Sequence, residues 1–213
     1  MTKKELTKRY LIFAVGLVIV ALGVAIATKS ALGPSPISSI PYSLWLIMPR
    51  LSMGEWTIVF NVALVLMQLA IQRREAKPVQ LILQVVTTLP FGYVIDFWLW
   101  CMKALSPGTY IIQLILVFAG CFIVAFGVFI QVKADVILLP GDAFIRAVAN
   151  ALKKEFGKVR TASDITMTVT SFALCLLFVG GLNGIREGTV IAALLVGNIV
   201  RIYGKMLDKR GGE

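Results

Sequence analysis

The sequence predicts an all-α membrane protein with six transmembrane helices arranged as two inverted three-helix repeats, each with a proline-broken or amphipathic segment after its first span. Three observations predict it. Apolar runs of about 20 residues recur along the chain, the length that crosses the hydrocarbon core of a bilayer. The composition, 58% hydrophobic with 15% charged residues and a mean hydropathy of +0.87, leaves too little polar material to cover a soluble domain. A glycine-rich stretch near the start is also written again about a hundred residues later.

The first run follows the basic start MTKKELTKRY. Its apolar body, LIFAVGLVIVALGVAIAT, exceeds that of a signal peptide and predicts a retained span over 10–28. Further spans are predicted over 54–72, 79–101, 108–132, 161–182 and 187–206. Two segments fit neither span nor free loop. Residues 30–50, SALGPSPISSIPYSLWLIMPR, are broken by proline yet apolar. Residues 134–158 place Phe144, Val148, Leu152 and Phe156 four apart, with Arg146, Asn150, Lys153 and Lys154 on the other side, an amphipathic helix with Asp142 as its N-cap. Ser38 holds the matching cap position in the first half. Each segment reads equally as re-entrant or as lying in the interface.

Lysine and arginine set the orientation, because short cytoplasmic loops hold the excess. With the N-terminus inside, the inner side collects Lys3, Lys4, Lys8, Arg9, then Arg73, Arg74 and Lys77, then the group from Arg146 to Arg160, and finally Lys205, Lys209 and Arg210. Both termini are expected in the cytoplasm of a multi-pass protein of the plasma membrane. The net charge of +10 is accounted for by these flanks, so no nucleic-acid partner is expected.

The repeat appears when VGLVIVALGVAIATK (15–29) is laid over AGCFIVAFGVFIQVK (119–133), an offset of 104. Gly16, Gly23 and Lys29 then fall on Gly120, Gly127 and Lys133. The register continues with Pro36 on Pro140, Ser38 on Asp142, Asn61 near Asp164 after a one-residue gap, and Asp96 opposite Arg201. Residues 1–105 and 106–213 therefore form two three-span repeats of one membrane domain. An odd number of spans makes the second repeat enter the bilayer from the opposite face, the arrangement of many secondary transporters.

With its Gly-rich first span and the turn ALGPSP, the chain resembles the YczE/YitT-type family of small bacterial membrane proteins. That family's second-half turn is of a GxGPRD type, of which LLPGD (138–142) keeps part. The resemblance implies a membrane fold and a transport role.

Candidate functional residues follow from charge and spacing. Lys29, Ser38, Lys133 and Asp142 are expected to bind substrate, two ammonium groups beside two helix starts favouring an anion. Asp96, Asp164, Arg201 and Asn61 are expected to act in gating and ion pairs, with Lys29 paired to Asp96 and Lys133 to Asp164, since charges inside a span need partners. Asn61 and Asp164 are placed near the starts of their helices. Gly16, Gly23, Gly120 and Gly127, seven residues apart in each pair, provide smooth stripes for helix packing.

The function these residues suggest is a small-solute permease with a midplane site between the repeats and a preference for anions. Two alternatives stand beside it: a carrier of an organic cation, and a non-transporting intramembrane partner or regulatory protein. Enzymatic readings lack material. The chain has no histidine, no HExxH and no GxSxG, and Cys101, Cys121 and Cys175 have no metal-site spacing, so no catalysis, metal or cofactor is expected. The expected partners are the lipid bilayer, a small-molecule or ionic substrate and, through the glycine stripes, a second copy of the chain.

Overall fold

The computed structural model describes residues 3–73, 76–180 and 186–208; the side chains of Lys3 and, beyond residue 200, of all but Tyr203 fall outside that description. Among the described residues the chain forms eight helices: α1 Lys3–Lys29, α2 Pro36–Ile47, α3 Met53–Gln72, α4 Pro78–Cys101, α5 Tyr110–Ala134, α6 Pro140–Leu152, α7 Phe156–Phe178 and α8 Glu187–Asp208. Five of them, α1, α3, α4, α5 and α7, are long and apolar enough to cross a membrane, and α8 adds a shorter apolar stretch over Glu187–Val200. The two short helices, α2 and α6, follow α1 and α5. The outward surface is apolar, with Leu66, Ile82, Ile111 and Leu177 each more than half exposed, as lipid-facing side chains are.

Each helix start has a local cause. Ser52 and Glu55 form a reciprocal capping box that opens α3, Ser52 Oγ accepting from Glu55 N at 3.0 Å and Glu55 Oε2 accepting from Ser52 N at 2.7 Å. Helices α2, α4 and α6 begin on Pro36, Pro78 and Pro140, where the fixed φ of proline suits the first turn and its missing N–H loses nothing. This corrects the capping expectation: Ser38 and Asp142 are the third residues of their helices. The N-caps are Ser35 and Leu139, and neither makes a side-chain capping bond.

The fifth span also differs from expectation. Helix α7 starts at Phe156 instead of 161, because α6 closes at Lys153 in a left-handed conformation (φ 53°) and the chain restarts at once from Glu155. Asn61 and Asp164 consequently do not begin their helices. Each is the ninth residue, about 12 Å along its axis at 1.5 Å per residue. The apolar stripe of α6 is corrected as well. Leu152 and Phe156 are exposed and Phe144 and Val148 only half-buried, while Ala143, Ile145, Ala147 and Ala149 are buried, with Ile145 and Ala149 against Val159 of α7, as α6 packs between α3 and α7.

The most extensive packing is between α1 and α5, which cross antiparallel with glycines in register. A Cβ on Gly23 would lie 2.6 Å from Val124 Cγ2 and 3.0 Å from the Gly120 carbonyl; one on Gly127 would lie 2.7 Å from Val20 Cγ2 and 2.9 Å from the Gly16 carbonyl. Lipid tails are as apolar as leucine, so such pairs are held by close dispersion contact and not by exclusion of water. Around this pair, α4 packs on α1 and α8 on α5, α2 packs on α7 and α6 on α3, α2 contacts α3 and α6 contacts α7. Exchanging α1–α4 with α5–α8 maps each of these contacts onto another. The pair α3–α4 is tight, however, whereas α7 and α8 scarcely touch.

Candidate functional site

Helices α2 and α6 point their N-termini at each other near the middle of the bundle. Between them lies a cavity of about 100 Å³, room for roughly three waters at about 30 Å³ each. Ser35, Pro36, Ile37 and Ser38 line it from α2, and Leu139, Pro140, Gly141 and Asp142 from α6. The long helices contribute Thr57 and Asn61 from α3, Arg160 and Asp164 from α7, and apolar walls from α1, α4, α5 and α8. Nearly all of its polar lining sits on matching positions of the two halves: Ser38 with Asp142, Thr57 with Arg160, and Asn61 with Asp164.

The electrostatics centre on α7. Arg160 donates through Nη1 to Asp142 Oδ1, and both side chains are only partly accessible, at 33% and 23%. Asp164 lies one helical turn along α7 from Arg160 and faces the same pair. One guanidinium and two carboxylates therefore share the cavity with two helix starts, each equivalent to about half a positive charge. The sum is close to neutral. A wider cleft of about 640 Å³ between α5, α7 and α8 includes Arg160 and Asp164 in its wall, so the charged side of the cavity also borders the gap left by the loose α7–α8 contact.

Of the residues singled out from the sequence, Ser38, Asp142, Asn61 and Asp164 meet in this cavity. Lys29 and Lys133 do not line it: Lys29 ends α1 half-buried, and Lys133 is exposed near the end of α5. The two expected ion pairs are not among the salt bridges of the described residues. Asp96 serves another purpose, accepting from Ser52 Oγ at 2.5 Å and from Gly54 N at 2.8 Å, so that α4 holds the start of α3. Asp164 faces Arg160 in place of Lys133. The side chain of Arg201 lies outside the described residues. Gly16, Gly23, Gly120 and Gly127 all lie in the α1–α5 crossing.

A second set of polar contacts joins α2 to α7. Ser43 Oγ lies 2.5 Å from Ser171 Oγ, Ser171 Oγ donates to the Ser39 carbonyl at 2.6 Å, and Cys175 Sγ approaches Ser43 Oγ at 3.3 Å. All four are buried, and no water is needed to satisfy the hydroxyls.

A family model described as a family of unknown function, DUF6198, matches residues 7–205. The chain belongs to this family. Among its relatives, the uncharacterized membrane protein YczE of Bacillus subtilis (strain 168) is 28% identical over 200 residues, covering 93% of this chain and 86% of the relative. The uncharacterized protein YyaS of the same organism is 23% identical over 202 residues, 94% of each. No solved structure matches. The apolar helices and the relative described as a membrane protein support a membrane location, and the cavity above holds the partly buried Arg160–Asp142 pair of this chain.

Arg160, Ser35 and Thr57 were not singled out from the sequence. Arg160 reads as a flanking charge when the fifth span is begun at 161, and becomes an internal one only once α7 is extended back to Phe156. The signal that finds it is the repeat itself: the register that sets Asp164 opposite Asn61 sets Arg160 opposite Thr57.

Proposed function

We propose that this DUF6198 membrane protein is a small-solute permease of the plasma membrane, with both termini in the cytoplasm, whose substrate passes through the cavity between α2 and α6. The observation that carries the reading is the convergence of two short helices, one from each half, on a charged cavity at mid-bundle, since half-membrane helices ending at a midplane site are how many carriers hold their substrates. An inverted duplication is supported by matching backbone detail. Ala31 and Asp135 both adopt positive φ (60° and 48°), and α2 and α6 both start on proline.

The charge balance favours a neutral or zwitterionic solute. An anion preference would rest on Lys29 and Lys133, which stand outside the cavity, and the one guanidinium inside is already engaged by Asp142. A zwitterion would find an acceptor in Asp164 and donors at the two helix starts.

The test is flux. Purified protein in liposomes is offered neutral, zwitterionic, anionic and cationic solutes, with Arg160→Gln as control. Uptake of a neutral or zwitterionic solute that falls at least tenfold in the variant is expected. Failure of every class to exceed empty liposomes would sink the permease, and uptake of anions alone would sink the charge argument.

A further inference from the structure

Away from the central cavity, at the end of the bundle where α3 and α5 finish and α4 begins, lies a separate vestibule of about 520 Å³, within the range of small-molecule sites. Its wall carries Gln68 of α3, Gln84 of α4 and Gln131 of α5, three carboxamides brought from three helices to one space. Each residue is more than nine-tenths buried, at 4%, 3% and 6% exposure. Each leaves a polar atom without a hydrogen-bond partner among the described residues: Gln68 Oε1, Gln84 Oε1 and Gln131 Nε2. Only Gln68 has its other end engaged, its Nε2 donating to Gln72 Oε1 at 3.3 Å.

Glutamine is a poor choice for filling space in an apolar bundle, because an unmet buried polar group costs about 1–3 kcal/mol. Leucine or methionine would pack the same volume without that cost. The fold moreover makes room for one of them. A Cβ on Gly16 would come within 2.7 Å of Gln131 Cγ, so the glycine of α1 leaves space for this side chain.

We infer that the vestibule binds an uncharged solute carrying hydroxyl or amide groups. The argument is chemical. The three carboxamides leave acceptors and donors unmet side by side, which calls for a ligand that donates and accepts from the same small frame, as a hydroxyl or an amide does. A carboxylate offers acceptors only, and an ammonium donors only. Carboxamides bring no charge to reward either ion, and at the rim Lys77 and Arg146 stand with Asp135.

This deepens the permease reading, since it names the class of solute that would approach α6 from the side assigned to the cytoplasm, yet binding here does not require flux. The experiment therefore reads binding alone. Asn150, exposed on α6 at the vestibule wall, is replaced by cysteine in a Cys101→Ser background, where the remaining thiols Cys121 and Cys175 are buried. The rate of its modification by a maleimide is measured in detergent with glycerol, sorbitol, glucose and urea, and with acetate and ammonium as charged controls. A saturable slowing of at least threefold by one of the uncharged solutes is expected, absent from Gln84→Leu and Gln131→Leu proteins whose unprotected rates match the parent.

Protection by none of the four, by the charged controls alone, or to the same extent in both leucine variants overturns the inference. Protection in detergent without flux in liposomes would leave the binding site standing and remove the permease. Flux without protection would do the reverse.

Discussion

Ile37 and Gly141 occupy matching positions in the two halves of the chain, and they touch: a Cβ added to Gly141 would fall on the Cδ1 of Ile37. Under the proposed inverted duplication, equivalent residues touch only beside the axis that relates the halves, and this contact also lies at the wall of the cavity. Gly141→Ala should therefore press on the end of the Ile37 side chain at the cavity wall, lowering flux and destabilising the protein in thermal unfolding by less than the roughly 1–3 kcal/mol of overpacking against backbone, since that end can rotate aside. Adding Ile37→Ala should restore most of both. Additive losses in the double variant would contradict the contact.

The α1–α5 crossing makes a prediction about stability alone. A Cβ on Gly23 would sit 2.7 Å from the backbone nitrogen of Val124, which cannot swing aside as a side chain could. Gly23→Ala should lower the melting temperature in detergent clearly, by about 1–3 kcal/mol of overpacking. Gly197→Ala, where nothing lies within 4 Å, should not lower it. Equal behaviour of the two would refute backbone contact as the reason for the glycine stripe.

Arg160 satisfies Asp142 and faces Asp164 in a partly buried setting. Removing its charge with Arg160→Gln leaves two uncompensated carboxylates, and breaking such a pair costs about 3–5 kcal/mol when it is buried. Loss of flux and of stability is expected, with Asp142→Asn in addition recovering stability but not transport. Recovery of both would show that the pair is only a strut.

Ser43 and Ser171, with their hydroxyls 2.5 Å apart, are placed for a cross-link between α2 and α7. Cysteines at both positions, with Cys175 changed to serine, should form a disulfide under mild oxidation that halts flux, and reduction should restore it. Flux unaffected by the bond would mean that α2 and α7 do not separate during transport.

Asp96 offers a fifth measurement. Asp96→Ala removes two hydrogen bonds to a carboxylate, each worth about 1.5–3 kcal/mol, and unties α4 from the start of α3. A lower melting temperature is expected. Asp96→Asn, which keeps an acceptor oxygen, should lose less. A variant that is fully stable yet inactive would return Asp96 to the gating role first expected of it.

Much of the architecture was legible because a bilayer imposes a length and a hydropathy on every span, and because glycines seven apart on two segments have few uses besides close packing. The start of α7 was not legible. Lys158 and Arg160 read as flanking charges before a span begun at 161, and it is the setting of the fold, with Asp142 facing Arg160, that accommodates them inside the helix. The ion pairs were misread for a related reason. Depth in the membrane can be counted along a sequence, but azimuth around the bundle cannot, so Lys29 and Asp96 stood at one level without facing each other. The glutamine vestibule escaped because Gln68, Gln84 and Gln131 come from three distant segments and carry no charge to draw notice.

The glycine crossing also bears on how such a molecule can move. Where the main chains of α1 and α5 meet at their glycines, with Val20 and Val124 seated against them, neither helix can slide along the other without driving a side chain or carbonyl into the opposite backbone. Any rearrangement of the bundle must then treat these two helices as a fixed spine. The helices around it, α2, α7, α6 and α3, are left as the parts that can move about it and part from one another.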